Sequence, residues 1–204
     1  MLKNGGPELI EVLTDIYNSF LEDGKVPEVL NKGIMNLIPK QKCALTLKQR
    51  RPLTISSVLV GIFTGRMAKM MSKVAEREGH LSDAAFGFRK SRSTVDCLFL
   101  LNTALQKAKR KKIPLNICSV DLEKAYDMVH RPYLFAKLKS LGYKGKTLSL
   151  IQSLYFNDSV QVNVNGFLTT PLFFDLGVKQ GCGLSPILFS FYIDSLIRIL
   201  HKNE

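Results

Sequence analysis

The fold is decided by one short stretch, residues 118–130, which reads CSVDLEKAYDMVH. The apolar run Leu115–Val120 predicts a buried strand, because a short apolar run bounded by turn signals is typical of a strand inside a core. Asp121 follows at the end of this run, and Arg131 with Pro132 predicts the start of a helix. A carboxylate held at the end of a buried strand is well placed to face a cleft and bind a divalent metal ion. The alternative is a turn that Asp121 caps.

A second stretch, residues 177–189, reads GVKQGCGLSPILF. Three glycines within seven residues, followed by Ser185 and Pro186, predict a tight loop that ends at a helix N-terminus. Such a loop allows a base or a sugar to approach the backbone, with Gln180 available to donate a hydrogen bond. The alternative is an ordinary glycine-rich connection.

Together, the two stretches resemble motifs A and B of reverse transcriptases, above all those of non-LTR, LINE-type retrotransposons. Two further matches lie upstream in the family's order. They are LIPK at 37–40 with RPLTI at 51–55, and FGFRKSRST at 86–94. Because these matches cover most of the chain, the sequence is identified as a member of this family.

The resemblance implies an α+β fold, the fingers and partial palm of a right-hand polymerase, with helices around a small antiparallel sheet. Residues 1–112 would be mostly fingers and residues 113–204 a partial palm. Periodicity and turn signals independently predict most of the elements. Helices are expected to begin near Pro7, Ser57, Thr94, Pro132, Thr147 and Ser185, and strands to span 33–39, 159–165 and 172–176.

The resemblance also implies a reaction, the extension of a DNA primer on an RNA template with deoxynucleoside triphosphates. The family uses two-metal catalysis, so two Mg²⁺ ions are expected as cofactors. Asp121 would be the catalytic carboxylate and a metal ligand, with the Leu122 carbonyl as a further ligand. The residues expected to bind the nucleotide are Lys40, Arg51, Lys124, Ala125, Tyr126, Gln180 and Gly181. Tyr126 stands where the family places a bulky side chain that excludes a ribose 2′-hydroxyl, and Lys42 or Lys48 is an alternative to Lys40.

The stretch at 86–94 mixes aromatic and cationic side chains, which suits contact with a template strand. Aromatic rings stack on bases and cations bind phosphates. We therefore expect Phe88, Arg89, Lys90 and Arg92 to bind nucleic acid. The alternative is that Phe86 and Phe88 anchor the loop to the core.

The sequence departs from the family pattern at two points. Gly183 stands where proline is usual, which is expected to loosen the loop. No Tyr-x-Asp-Asp motif occurs in the 204 residues. Asp127, six residues after Asp121 on a turning chain, need not lie on the same side as the metal, and Asp158 and Asp175 are expected at the surface. We therefore expect a truncated chain, without a thumb or the C-terminal polymerase segment, that is inactive alone. The alternative function is a non-catalytic RNA- or DNA-binding remnant of a mobile element.

The charge distribution supports a polyanionic partner. The net charge is +12, and residues 31–75 contain nine Lys and Arg and no Asp or Glu. Arg66, Lys69, Lys73 and Arg77 share one face of a predicted helix and could follow a phosphate backbone, although solvated helix faces explain part of this charge.

The four cysteines include no C-x-x-C pair, and Cys97 and Cys118 are predicted to be buried thiols. With no signal peptide and no apolar run long enough for a membrane span, an intracellular protein is expected, with nucleus and cytoplasm left open.

Overall fold

The first half of the chain forms two packed helices, a β-hairpin and a long exposed helix. The computed structural model describes residues 5–43, 45–156 and 158–202, and the lead-in before Gly5 lies outside them. The elements of this half are helix α1 (Gly6–Asp23), strands β1 (Gly33–Pro39) and β2 (Arg50–Ser56), and helices α2 (Val58–Arg77) and α3 (Thr94–Lys111). Local signals set the boundaries. Gly24 ends α1 in the left-handed conformation, and Ser93 caps α3 in a reciprocal pair with Asp96.

The second half contributes three helices and the rest of the sheet. Its elements are helices α4 (Arg131–Ser140) and α5 (Gly145–Ser153), strands β3 (Ser159–Val164), β4 (Phe167–Leu168) and β5 (Leu172–Phe173), and helix α6 (Ser185–Lys202). The α+β class is confirmed. Asn165 and Gly166 both have positive φ and form a tight turn between β3 and β4.

The sheet is mixed, where the sequence predicted an antiparallel one. Its order is β2-β1-β3-β4, with β5 also pairing with β3. β1 and β3 run parallel, with Gly33 opposite Val160, whereas the other pairs are antiparallel. Four helices separate β1 from β3 along the chain, so the connection is long enough for a parallel crossover. β2 lies at an edge, where Pro52 is tolerated because no neighbouring strand needs its missing N–H group.

The core lies among α1, α2, α4, α5 and α6. Its buried side chains include Phe20, Phe63, Met67, Met71, Leu134, Leu138, Leu150, Ile151, Leu188 and Phe191. No helix within the described ranges is both long and apolar enough to cross a membrane.

The buried strand predicted at Leu115–Val120 is wrong. This segment pairs with no strand among the described residues, and Ile117 is 56% and Val120 77% exposed. A buried strand requires a hydrogen-bonded neighbouring strand and a layer that covers it, and an apolar run in the sequence does not show that either is present. The preceding helix α3 has no buried residue either, and therefore Cys97 and Cys118, predicted as buried thiols, are both exposed.

Candidate nucleotide and nucleic-acid site

The two stretches that carry the family resemblance, residues 118–130 and 177–189, are in direct contact. The backbone N–H of Gly177 donates to the Val129 carbonyl at 2.8 Å, and that of Val178 donates to the Tyr126 carbonyl at 2.9 Å. The side-chain amide of Gln180 donates to Oδ1 of Asp127 at 2.8 Å. The glycine loop, residues 177–183, is therefore joined to the turn that follows Asp121.

The glycines of this loop allow three close backbone contacts. A Cβ at Gly177 would lie 3.0 Å from the Asp127 carbonyl oxygen, and one at Gly181 only 2.5 Å from the Thr54 carbonyl oxygen. Gly181 also has a φ of +112°, which side-chain-bearing residues rarely adopt. A Cβ at Gly183 would lie 3.1 Å from Cα of Gly65 on α2. Gly183 therefore packs the loop against α2, in contrast to the expectation that it loosens the loop.

The loop also covers the outer edge of β2. The backbone N–H of Thr54 donates to the Gln180 carbonyl at 2.8 Å, which satisfies an edge group that would otherwise be unpaired. Arg51 lies three residues before Thr54, about 10 Å along the strand at ~3.3 Å per residue. Lys40 is at the same end of the hairpin, since its N–H donates to the Gln49 carbonyl. Both side chains are exposed, and neither forms an ion pair with a described residue.

An aromatic group lies beside the turn. The ring of Tyr126 is 5.1 Å from that of Phe189 and 6.3 Å from that of Phe88, measured between centroids. Burial raises the pKa of the Tyr126 hydroxyl. Phe88 is 62% exposed and has a φ of +59°, which is unusual for a bulky residue. The loop thus holds the Phe88 ring in solvent next to Tyr126 rather than in the core.

Two of the three cations in the 86–94 stretch are engaged within the protein. Arg89 forms a bidentate pair with Glu76 and donates to the carbonyls of Ser82 and Ala85. The hydrogen bond from Arg89 lowers the pKa of Glu76.

The second engaged cation, Arg92, pairs with Asp83 at 2.7 Å and lies over the Phe86 ring at 5.3 Å. Lys90 is exposed and has no partner among the described residues. Of these three cations, Lys90 is the one that is free to bind a phosphate.

Asp121 lies in the exposed segment that leads into the turn. Its side chain makes no hydrogen bond or ion pair with another described residue, and Leu122 is 46% exposed. Lys124 is held at a φ of +50°, and its carbonyl accepts from the N–H of Asp127. Within the described ranges, no three His, Cys, Asp or Glu residues are arranged to hold a metal ion. The described residues thus offer two exposed carboxylates here, Asp121 and Glu123, but no cluster of three metal ligands.

A buried polar network, not predicted from the sequence, supports the glycine loop from behind. Lys179, the residue before Gln180, is 9% exposed, and its ammonium lies 2.9 Å from Oδ1 of Asp158. The same ammonium donates to Oδ1 of Asn31 at 2.9 Å. The surface position predicted for Asp158 is therefore wrong, since it is 3% exposed. Asp175 is exposed, as predicted.

Arg131 completes this network on the side of α4. Its Nε donates to the Gly177 carbonyl at 2.9 Å, and its NH2 group lies 3.7 Å from Oδ2 of Asp158. Its NH1 group donates to the carbonyl of Tyr155, over whose ring the guanidinium also lies. Burial lowers the pKa of Arg131. These partners are far apart in sequence, so no local pattern could have revealed the network.

On this α+β scaffold, the glycine loop is bonded both to the turn after Asp121 and to the edge of the basic β1–β2 hairpin. Residues 38–204 match the family model described as reverse transcriptase (RNA-dependent DNA polymerase). Because this match covers most of the chain, the protein belongs to the reverse transcriptase family.

The relatives come from mobile elements. The chain is 28% identical over 197 residues to an uncharacterized 149 kDa protein of transposon TX1 from Xenopus laevis, covering 97% of this chain and 15% of that protein. It is 29% identical over 175 residues to a retrovirus-related Pol polyprotein of a type-1 retrotransposable element R2 from Popillia japonica, covering 85% and 24%. It is 27% identical over 179 residues to the RNA-directed DNA polymerase of mobile element jockey from Drosophila funebris, covering 87% and 19%. The chain spans less than a quarter of the length of each of these relatives.

Proposed function

We propose that this chain provides the nucleotide- and template-binding part of a non-LTR retrotransposon reverse transcriptase that synthesises DNA on an RNA template. The observation that carries the proposal is the contact between the Gln180 loop and the Tyr126–Asp127 turn, with the exposed Phe88 ring beside Tyr126. Residues 1–112 would act mainly as fingers and residues 113–204 as part of the palm.

The incoming deoxynucleoside triphosphate would lie between the basic hairpin and the turn. Lys40 and Arg51 are exposed and form no ion pair with a described residue, so they are available to the triphosphate. The planar guanidinium of Arg51 suits two phosphate oxygens at once. Lys124 and Ala125 would contribute backbone N–H groups. Tyr126, packed against Phe189, would exclude a ribose 2′-hydroxyl.

The nascent base pair would rest against the glycine loop, with Gln180 and Gly181 at its border. The Gln180 side chain is bound to Asp127 in the structure, so its amide is held in one orientation. Phe88 would stack on a template base and Lys90 would bind a phosphate of the same strand. Arg89 and Arg92 would act indirectly, by holding the loop that carries Phe88 and Lys90.

Reverse transcriptases use divalent metal ions, and Asp121 has no competing partner among the described residues. We assign Asp121, with the Leu122 carbonyl, as ligands to Mg²⁺. Two such ions, when bound, stabilise the attacking and leaving oxygens of the transfer. The remaining ligands are not identified among the described residues.

The test measures binding of a fluorescent RNA–DNA primer–template to the 204-residue protein, with Phe88→Ala as the informative variant. Loss of base stacking should reduce affinity by about 1–3 kcal/mol. Phe167→Ala is the matched control, because Phe167 is 80% exposed on the β3–β4 hairpin. Equal affinities of the Phe88 and Phe167 variants would reject the site.

Primer extension with Mg²⁺ then distinguishes a polymerase from a non-catalytic module that only binds nucleic acid. These 204 residues alone are expected to bind without extension, because the described residues contain no cluster of three side chains that could hold a metal ion. If the unaltered protein extends the primer and the Asp121→Ala variant does not, the set of metal ligands is complete.

A further inference from the structure

The outward face of α2 carries a cationic stripe, Arg66, Lys69 and Lys73, that the proposed nucleotide site does not use. The three residues are three and four positions apart, so their side chains share one face of the helix. All three are exposed, and none forms an ion pair with another described residue. The opposite face, which includes Phe63 and Met67, is buried in the core.

No acidic residue close in sequence neutralises the charge of this stripe. No Asp or Glu occurs between residues 31 and 75. The next carboxylate along α2 is Glu76, and Arg89 binds it with two hydrogen bonds. The stripe therefore presents uncompensated positive charge to the solvent, as a polyanion-binding surface does.

The stripe is continuous with the proposed site. A cavity of about 420 Å³ lies between β2, the start of α2 and the glycine loop, and both Ile62 and Gly181 line it. Arg66 lies one helical turn beyond Ile62. From there the stripe runs to Lys73 over about 10 Å at 1.5 Å per residue. A strand that leaves the base pair at Gly181 would meet this face next.

We propose that Arg66, Lys69 and Lys73 bind the sugar–phosphate backbone of one strand of the primer–template, beyond the nascent base pair. The phosphates of one strand of a duplex recur about every 3.4 Å along the helix axis, so three cations spread over about 10 Å suit a run of roughly three phosphates. The inference rests on the proposed function, since it requires the base pair to lie at the glycine loop.

A membrane surface fits this face less well. An interfacial helix inserts its apolar side into the lipid, but the apolar side of α2 is packed within the core. The apolar side chains beside the stripe are Ile62 and Met70, which are 42% and 57% exposed.

The test replaces all three cations by glutamine and compares the salt dependence of RNA–DNA hybrid binding with that of the unaltered protein. The control Lys107→Gln/Lys109→Gln/Lys111→Gln removes the same charge from the exposed end of α3. Loss of three phosphate contacts should make the slope of log K against log salt shallower by roughly 2 to 3. The control should change this slope by less than about 1.

Three outcomes would overturn the inference. If the α2 variant keeps the slope and affinity of the unaltered protein while Phe88→Ala loses affinity, the stripe is not a contact and the proposed function stands. If the unaltered protein does not bind the hybrid, both proposals fail. If the α2 variant loses binding to phosphatidylserine vesicles but keeps hybrid binding, the surface binds lipid instead.

Discussion

Gln180 donates its side-chain amide to the Asp127 carboxylate at 2.8 Å, which links the glycine loop to the turn through side chains as well as backbone. Tyr126 and Val178 are joined by a backbone hydrogen bond beside this contact. Asp127 thus holds the Gln180 side chain, a contact that was not predicted from the sequence.

Asp127→Ala should lower the free energy of unfolding by about 1–2 kcal/mol, because the part-buried Gln180 amide loses a charged acceptor. Asp127→Asn keeps an acceptor oxygen and should cost less. Urea unfolding of both variants measures the difference, and an asparagine variant as unstable as the alanine variant would contradict this role of the hydrogen bond.

Gly181→Ala should destabilise the protein more than Gly142→Ala. Both glycines have positive φ, +112° and +92°, so both substitutions incur a backbone cost of roughly 1–2 kcal/mol. At Gly142 a Cβ has open space, whereas at Gly181 it would lie 2.5 Å from the Thr54 carbonyl oxygen. The two free energies of unfolding, measured with urea, should therefore differ, and equal values would contradict the close packing of the loop on β2.

Lys179→Met should cost about 3–5 kcal/mol, because it leaves the buried Asp158 carboxylate without its closest cation. Replacing both partners, Lys179→Met with Asp158→Leu, should cost less than the sum of the single changes. Lys144→Met, at an exposed lysine, is the control. If the two single substitutions change the free energy of unfolding by amounts that add up to the change in the double variant, the two side chains are not coupled.

Glu76→Gln should destabilise the protein at neutral pH and lose its effect in acid. The hydrogen bond from Arg89 lowers the pKa of Glu76 below 4.5. The stability that the ionised Glu76 contributes is therefore fully present above that pH, and it is lost as the pH falls through the folded-state pKa. The pair is partly exposed, which limits the contribution to about 1 kcal/mol. Unfolding measured at pH 7 and at successively lower pH tests this, since a difference between the two proteins that does not shrink as the pH falls would exclude this ionisation as its cause.

Features whose determinants are close in sequence could be predicted. Pro7 and Gly24 bound α1, the Ser93–Asp96 pair begins α3, and the Asn165-Gly166 turn joins β3 to β4. The contact between the two motif stretches was also predictable, although only through resemblance to a family in which they face each other.

Features that depend on distant partners could not be predicted. The apolar run at Leu115–Val120 satisfies the pattern of a strand, but a strand also needs a neighbour that this pattern does not specify. Asp158 is buried because Lys179 and Arg131 reach it from other elements. Arg89 shows a third limit, since a cation suited to a phosphate is equally suited to a carboxylate such as Glu76.

The close packing of Gly177, Gly181 and Gly183 also bears on how this gene can change. Every base substitution that alters the amino acid at a glycine codon adds a Cβ, and at these three positions that atom meets backbone within 3.1 Å. Third-position changes in the same codons are silent. Related genomic copies that vary only at the third base of these codons would thus record selection for a folded loop. Copies with changes at the first or second base would have lost the close packing of this loop.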